Sequence, residues 1–340
     1  MKARKIVVYH LNKDLSGSSV ILDSVIDVLK SNNFLVKEIY ANRLPYLKYS
    51  IIEQPILRNI KFLFWQFFSF TKVFFRFDRA EFVIVNTGLS MGAVLGWYVT
   101  PLRQKILFYS HETHVNNRLI DICMKRIISL TRPPMITVSS YHHLFWKEKY
   151  GVNSIVIPNP VKKVGFLDKG VERRFVTFVG NASELKGYPV WLQVVEKLNT
   201  FDIASYTVLN RQAHIYPNLI KNKNKLSVGR RDLTEIFLKS KVVVNLTNET
   251  LAIETFSLVI AEAILHGCAV VTPRNGGFKD YISESDDVRM VNTTDVTAVL
   301  SAIIELYSMR SLNLKQATKK LQMNAESFDR QILNILNRIN

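Results

Sequence analysis

Eight short apolar runs, each closed by a polar or turn residue, constrain this chain more than any other feature. They read KIVVYH, EFVIVNT, KILFYSH and MITVSS in the first half, then RFVTFVG, SYTVLN, VVVNLT and AVVTP in the second. Runs of this length, bounded by turn residues, suit parallel strands buried on both faces, and the longer amphipathic stretches between them suit crossover helices. The pattern predicts an α/β, doubly wound architecture. It is completed twice, and the segment between, GVNSIVIPNPVKKVGFLDKGVERR, has the Pro, Gly and charge density of a linker. A chain of 340 residues with 48% hydrophobic content can build two cores. The expected organisation is therefore a Rossmann-like domain over 1–160, a second over 161–315, and a terminal helix over 316–340, with the boundary near residues 158 to 172. The helix carries Ile332, Leu333, Ile335, Leu336 and Ile339 on one face behind an acid-containing start at Ser327 to Asp329, and should dock on the body. Sheets of this kind bind ligands at the carboxyl ends of their strands, near the topological switch point.

The net charge of +17 favours a polyanionic partner: nucleic acid, an anionic membrane surface or a phosphorylated substrate. No nucleic-acid-binding motif accompanies the charge, so nucleic acid is not expected. Residues 58–82 mix Arg58, Lys61, Lys72, Arg76 and Arg79 with nine of the twenty phenylalanines and Trp65, a membrane-surface composition. The apolar piece around Phe62 to Phe70 is far below the about 20 residues needed to cross a bilayer, so the segment would lie on one. The alternative is an aromatic core helix covered by its own domain. Cys123 and Cys268 stand far apart without CxxC spacing and read as buried, reduced thiols. The opening MKARKIVVYHLNKD has too short an apolar run for a signal peptide, which predicts a cytosolic location.

The stretch ETFSLVIAE sets Glu254 and Glu262 around an apolar segment, followed by AILHGCAVVTPRNGG. With a helix beginning near Phe256, Glu254 lies in the loop before it and Glu262 about two turns in, roughly 10 Å along the axis. That spacing suits one extended ligand held at two points, with the first amides of the helix, from Phe256, Ser257 and Leu258, meeting an anionic centre. Two solvated helix-face carboxylates would show the same spacing.

Glu254, Phe256, Ser257 and Glu262, then Ala263, His266-Gly267-Cys268-Ala269-Val270-Val271-Thr272 and Gly276-Gly277, resemble the E-x7-E signature of family 4 retaining glycosyltransferases. Three further stretches resemble that family in the same order. TVSSYHHLFWKEKYGVNSIVIPNPV is similar to its interdomain crossing, FVGNASELKGYPVWLQVVEKL to its G-R-x-x-x-x-K-G donor loop, and ESFDRQI to its terminal helix. The resemblance implies the GT-B architecture, two Rossmann-like domains facing across a cleft with a final helix returning to the first. It also implies metal-independent sugar transfer with retention of configuration, from a nucleoside diphosphate sugar and without a bound cofactor.

Carried over residue by residue, Glu262 would bind the ribose hydroxyls, Glu254 the donor sugar and Lys186 the diphosphate, with Gly180 and Asn181 in the donor loop and the amides of Phe256, Ser257 and Leu258 alongside. LFYSHETH resembles the family's strand-end histidine, which makes His111 the residue expected near the reacting carbon and His114 the second choice. Gly17 matches a loop that approaches phosphate and acceptor. Asn181 stands where the family usually has arginine, a charge that Arg230 or Arg231 would replace, and Ser257 stands where it has glycine. Size and the basic aromatic patch resemble enzymes that extend bacterial surface polysaccharide, O-antigen or capsule, on a lipid-linked oligosaccharide at the inner face of the plasma membrane. The departures at Asn181 and Ser257 keep a second function open, that of a non-catalytic nucleotide- or glycan-binding subunit of a polysaccharide synthase complex.

Overall fold

The computed structural model of the chain describes residues 4–12, 17–42, 55–74, 80–87, 90–100, 105–111, 118–161, 171–209, 224–228, 233–285, 287–309 and 314–338. Contacts divide it into two compact units, Met1–Pro160 with Ser327–Asn340, and Val161–Glu326.

The first unit runs β1 (Lys5–Asn12), α1 (Gly17–Ser31), β2 (Leu35–Asn42), α2 (Pro55–Phe74), β3 (Phe82–Asn86), α3 (Met91–Tyr98), β4 (Lys105–Tyr109), α4 (Arg118–Thr131), β5 (Met135–Thr137), α5 (Ser140–Tyr150) and β6 (Ile155–Val156). Its six strands are all parallel, in the order β2-β1-β3-β4-β5-β6. The chain moves outward from β1 to β2 and then returns to the other side of β1, so the switch point lies between β1 and β3. Strand β3 is buried throughout Phe82–Asn86 and β5 throughout Met135–Thr137. Tyr9, Trp97, Phe108 and Trp146 anchor the core, with Tyr9 and Trp97 edge to face at 5.6 Å. Helix α5 is bounded as its sequence dictates: Ser139 Oγ accepts from the His142 amide, and Gly151 turns the chain with φ +70°.

Helix α2 answers part of the question raised by residues 58–82. Its inner face is seated on α3 because Gly92 and Gly96 have no side chains there. A Cβ on Gly92 would sit 1.9 Å from the Gln66 carbonyl oxygen, and one on Gly96 would sit 2.9 Å from that of Phe70. The Gly92 amide also donates to Gln66 Oε1 at 2.5 Å. Gln66, Ser69 and Val73 are accordingly buried. The opposite side leaves Ile60, Leu63, Phe64, Phe67 and Phe74 exposed, Phe67 to 66%. The helix thus combines the two readings, one face in the core and another apolar face in solvent. Phe82 is a correction: it is fully buried in β3 and belongs to the core alone. Arg76 and Arg79 lie outside the described residues, as do the side chains of Arg58, Lys61 and Trp65. Among the described residues no helix is long and apolar enough to cross a membrane.

The second unit runs β7 (Phe175–Gly180), α6 (Tyr188–Thr200), β8 (Ser205–Leu209), β9 (Lys225–Val228), α7 (Thr234–Lys239), β10 (Ser240–Val244), α8 (Leu258–Leu265), β11 (Ala269–Pro273), β12 (Val288–Val291) and α9 (Val296–Ser308). These strands are also all parallel, in the order β12-β11-β10-β7-β8-β9, with the switch point between β7 and β10. The last helix, α10, runs over Lys315–Arg338, so that Ser327 to Asp329 lie inside it and not at its head. Residues 315–326 contain neither Gly nor Pro and are rich in Lys, Gln and Ala, so the helix propagates through them. Phe328, Ile332, Ile335 and Leu336 are buried, and this part of the helix belongs to the first unit.

Candidate functional site

The loops that leave β7 and β10 sit side by side at the second switch point. After β7 the chain makes a short 3-10 turn over Glu184–Lys186, capped by Ser183 Oγ, which accepts from the Lys186 amide at 3.3 Å. Gly187 closes the turn with φ +69°. A Cβ there would lie 2.0 Å from the Leu246 carbonyl oxygen, so only glycine lets this loop rest against the one after β10. The Asn248 amide ties the two loops together by donating to the Leu185 carbonyl at 2.9 Å.

This contact brings Lys186 to its partners. Lys186 Nζ lies 2.5 Å from Glu254 Oε1, which also accepts from Thr247 Oγ1 at 2.6 Å and from Asn245 Nδ2 at 3.4 Å. Burial pushes the Glu254 carboxyl up, but the Lys186 ammonium and the hydrogen bonds from Lys186, Thr247 and Asn245 outweigh it and hold the group below the usual carboxylate range. The Glu254 side chain is 14% exposed and that of Lys186 33%, so Lys186 is the more exposed member of the pair. The backbone of Glu254 is fixed by the glycine turn that follows β11: the Gly277 amide donates to the Glu254 carbonyl at 2.8 Å, and Glu254 bridges to Gly276.

Beside the pair begins α8. The helix starts at Leu258 rather than near Phe256, because Ser257 takes the capping position and directs its hydroxyl at the Ile260 amide, 3.5 Å away. Phe256 therefore precedes the helix, and its ring is buried against Tyr281 at 5.1 Å. The Tyr281 hydroxyl is shared between the carbonyls of Phe256 (2.7 Å) and Ser257 (3.0 Å), and burial together with the nearby Glu254 and Asp280 keeps that phenol protonated. Ser257 holds φ +62°, a conformation that costs a residue with a Cβ, and Asn245 Nδ2 supports it by donating to Ser257 Oγ at 2.8 Å. Glu262 follows in the second turn of α8, partly buried. Gly180 is the buried last residue of β7 and Asn181, next to it, is exposed. Arg230 and Arg231 lie outside the described residues.

In the first unit, His111 follows β4 and is buried, with Nε2 2.7 Å from Asn86 Oδ1. Burial first, and then His142 and His10, hold its imidazole well below the ordinary histidine range. Gly17 is the exposed first residue of α1, and His114 lies outside the described residues. Sequence reasoning passed over Asn245, Thr247, Asn86 and His10. The signal was present: each of Asn245, Asn86 and His10 is the first polar residue to close an apolar run, VVVN, VIVN and VVYH.

Residues 173–309 match the family model described as Glycosyl transferases group 1, and they hold every member of the Lys186–Glu254 cluster. No curated protein sequence matches the chain. Solved structures similar to it include sucrose-phosphate synthase from Thermosynechococcus elongatus, 13% identical over 99% of each chain with a TM-score of 0.74. Anabaena Alr3699/HepE, in complex with UDP and glucose, is 12% identical over 98% of this chain and 99% of its own, with a TM-score of 0.70. The lipopolysaccharide outer core galactosyltransferase WaaB, in its apo form, is 10% identical over 98% of each chain at 0.65.

The fold is GT-B. That architecture and the match over the second unit together support a glycosyltransferase.

Proposed function

We propose that this protein is a metal-independent, retaining glycosyltransferase that moves a sugar from a nucleoside diphosphate sugar to a lipid-linked glycan in bacterial surface-polysaccharide synthesis. The observation that carries the reading is the Lys186–Glu254 pair, held by Thr247 and Asn245 at the switch point and next to the start of α8. As the glycosidic bond to the donor breaks, its electron pair passes to the diphosphate. An ammonium positioned there stabilises the transition state more than the ground state. The acceptor oxygen forms the new bond to the anomeric carbon and its proton goes to the leaving phosphate. Glu254, ionised, accepts hydroxyls of the transferred sugar, Glu262 those of the ribose, and Gly180 and Asn181 line the donor loop. Arg230 supplies a further cation. His111 stands by the sugar from the first unit, with Gly17 near the phosphate and acceptor.

The exposed Ile60, Leu63, Phe64, Phe67 and Phe74 of α2, in a chain of net charge +17, support attachment to an anionic membrane surface on its cytoplasmic side. That surface presents the lipid-linked acceptor in two dimensions. Flotation with anionic liposomes at low salt checks this part: Phe64→Ser with Phe67→Ser should leave the protein in the unbound fraction, and a wild type that ignores such liposomes removes the membrane from the reading.

The donor site is tested by thermal shift against UDP, GDP, CDP, ADP and dTDP, with and without EDTA. One diphosphate should stabilise the wild type in both conditions and fail with Lys186→Ala and Glu262→Ala. A wild type that no nucleotide stabilises at millimolar concentration overturns the assignment and leaves a glycan-binding subunit.

A further inference from the structure

A second polar chain, in the first unit, has a geometry that leaves one assignment of its protons. His10 lies in β1, Asn86 ends β3 and His111 follows β4, so the three gather at the first switch point. Asn86 is fully buried. One side of its amide lies 3.0 Å from His10 Nδ1 and 3.3 Å from the Ser18 carbonyl oxygen. The carbonyl can only accept, so this side is the NH2 group and the amide oxygen faces His111 Nε2 at 2.7 Å. An amide oxygen cannot donate, and the proton between them therefore sits on His111 Nε2. On a neutral ring Nδ1 is then the lone-pair nitrogen. His10, receiving at Nδ1, carries its own proton on Nε2, directed to Ser19 Oγ at 3.2 Å.

The backbone holds this arrangement under strain. Thr87, next to Asn86, has φ +77°, an outlier for a β-branched residue, and its buried hydroxyl has no hydrogen-bond partner among the described residues. Its amide donates to the Tyr109 carbonyl at 3.0 Å and fastens the end of β3 to the end of β4. Such strain persists where the surroundings over-determine it, at sites that need a fixed geometry.

We propose that Asn86 is a positioning residue that holds His111 as the neutral Nε2–H tautomer and so makes Nδ1 its acceptor nitrogen, while locking His10 in the same tautomer. The inference rests on the reading of His111 as the side chain beside the transferred sugar, where an acceptor nitrogen takes a hydrogen bond from a sugar hydroxyl. Aspartate at this position would offer a carboxylate and draw a second proton onto the ring. Leucine would leave the His111 N–H with no oxygen to meet.

Long-range proton–nitrogen correlation spectra of the full chain labelled with 15N-histidine, near neutral pH, test this without any nucleotide. His111 is assigned by the signal lost in His111→Gln. In the wild type its proton should be on Nε2 alone. Asn86→Asp should move both ring nitrogens of His111 to the imidazolium pattern, and Asn86→Leu should give a mixture of tautomers. A proton on Nδ1 in the wild type, or a His111 spectrum unchanged in both variants, overturns the proposal. Because a proton on Nδ1 in the wild type overturns the proposal by itself and Asn86→Asp tests the side chain's role, an Asn86→Leu chain that does not fold leaves the test intact. With the donor named by thermal shift, Asn86→Leu should lower kcat by about tenfold or more and leave the donor KM unchanged. An unchanged kcat would detach Asn86 from the sugar while leaving the donor site standing.

Discussion

The two sheets place polar residues at the same topological spot and solve opposite electrostatic problems there. At the first switch point the cluster of His10, Asn86 and His111 is buried: Asn86 is fully so, and the burial around His111 drives its imidazole to the neutral form. At the second, Lys186 keeps a third of its side chain in solvent, and Glu254 stays ionised because three donors converge on one oxygen. A buried charge survives only with partners, whereas a buried amide and imidazole need only matched donors and acceptors. One fold therefore offers a neutral, directional site and a charged one.

The contact most worth breaking is the one that assembles the charged site. Gly187→Ala meets both a positive φ and a Cβ only 2.0 Å from a backbone oxygen that has no side-chain freedom to yield. It should cost about 2–5 kcal/mol in urea unfolding. Gly151→Ala in the first unit has nearly the same φ, +70°, with nothing within 4 Å, and should cost about 1 kcal/mol. Equal costs would mean that the loops after β7 and β10 are not in register as described.

Glu254→Gln removes the charge and leaves Lys186 without its counter-ion, for an expected loss of about 1–3 kcal/mol, reduced from the value for a fully buried pair by the exposure of Lys186. The sign with pH follows from its lowered folded value: the unfolded carboxyl takes up its proton first, near about pH 4.3, so the stability is present above that point and is lost as pH falls through the folded value. The variant should show a shallower acid limb than the wild type.

All eight apolar runs became strands, and the four strands that the pattern did not announce are β2, β6, β9 and β12, the four edges of the two sheets. An edge strand is not buried on both faces: LVKEIYAN, KLSV and VRMV carry charge or polar residues because solvent permits them. The spacing of Glu254 and Lys186 was visible only through a family pattern, since the pair is 68 residues apart in sequence and meets through the Gly187 turn. Asn86 and Asn245 were readable in principle as the first polar residue past a buried run. What no run could reveal is that each would bridge two neighbours, because that depends on the register of separate strands.

His111→Gln probes the neutral site by the same linkage. Its folded value is lowered, so the unfolded ring binds a proton below about pH 6.5 while the folded one does not. Stability is present above that point and drains as pH falls beneath it. One proton contributes a slope of at most about 1.4 kcal/mol per pH unit. The variant should flatten the profile just below about pH 6.5, before Glu254 begins to contribute, and an unchanged slope would mean that His111 is protonated in the fold.

The smallest expected effect is the most discriminating for the charged site. Ser257→Gly relieves a side chain from φ +62°, worth about 1–2 kcal/mol, and forfeits little as a cap, since glycine is also accepted there. It also deletes the acceptor of the 2.8 Å bond from Asn245 Nδ2, which costs about 1 kcal/mol and turns that amide wholly toward Glu254 Oε1. The terms oppose, so the melting curve should barely move. A gain above about 1 kcal/mol would show that the Asn245–Ser257 bond contributes nothing and that serine merely strains the loop. A comparable loss would show that Ser257, through Asn245, is part of what keeps the carboxylate of Glu254 in place, tying the least conventional residue of the loop to the ion pair that defines the site.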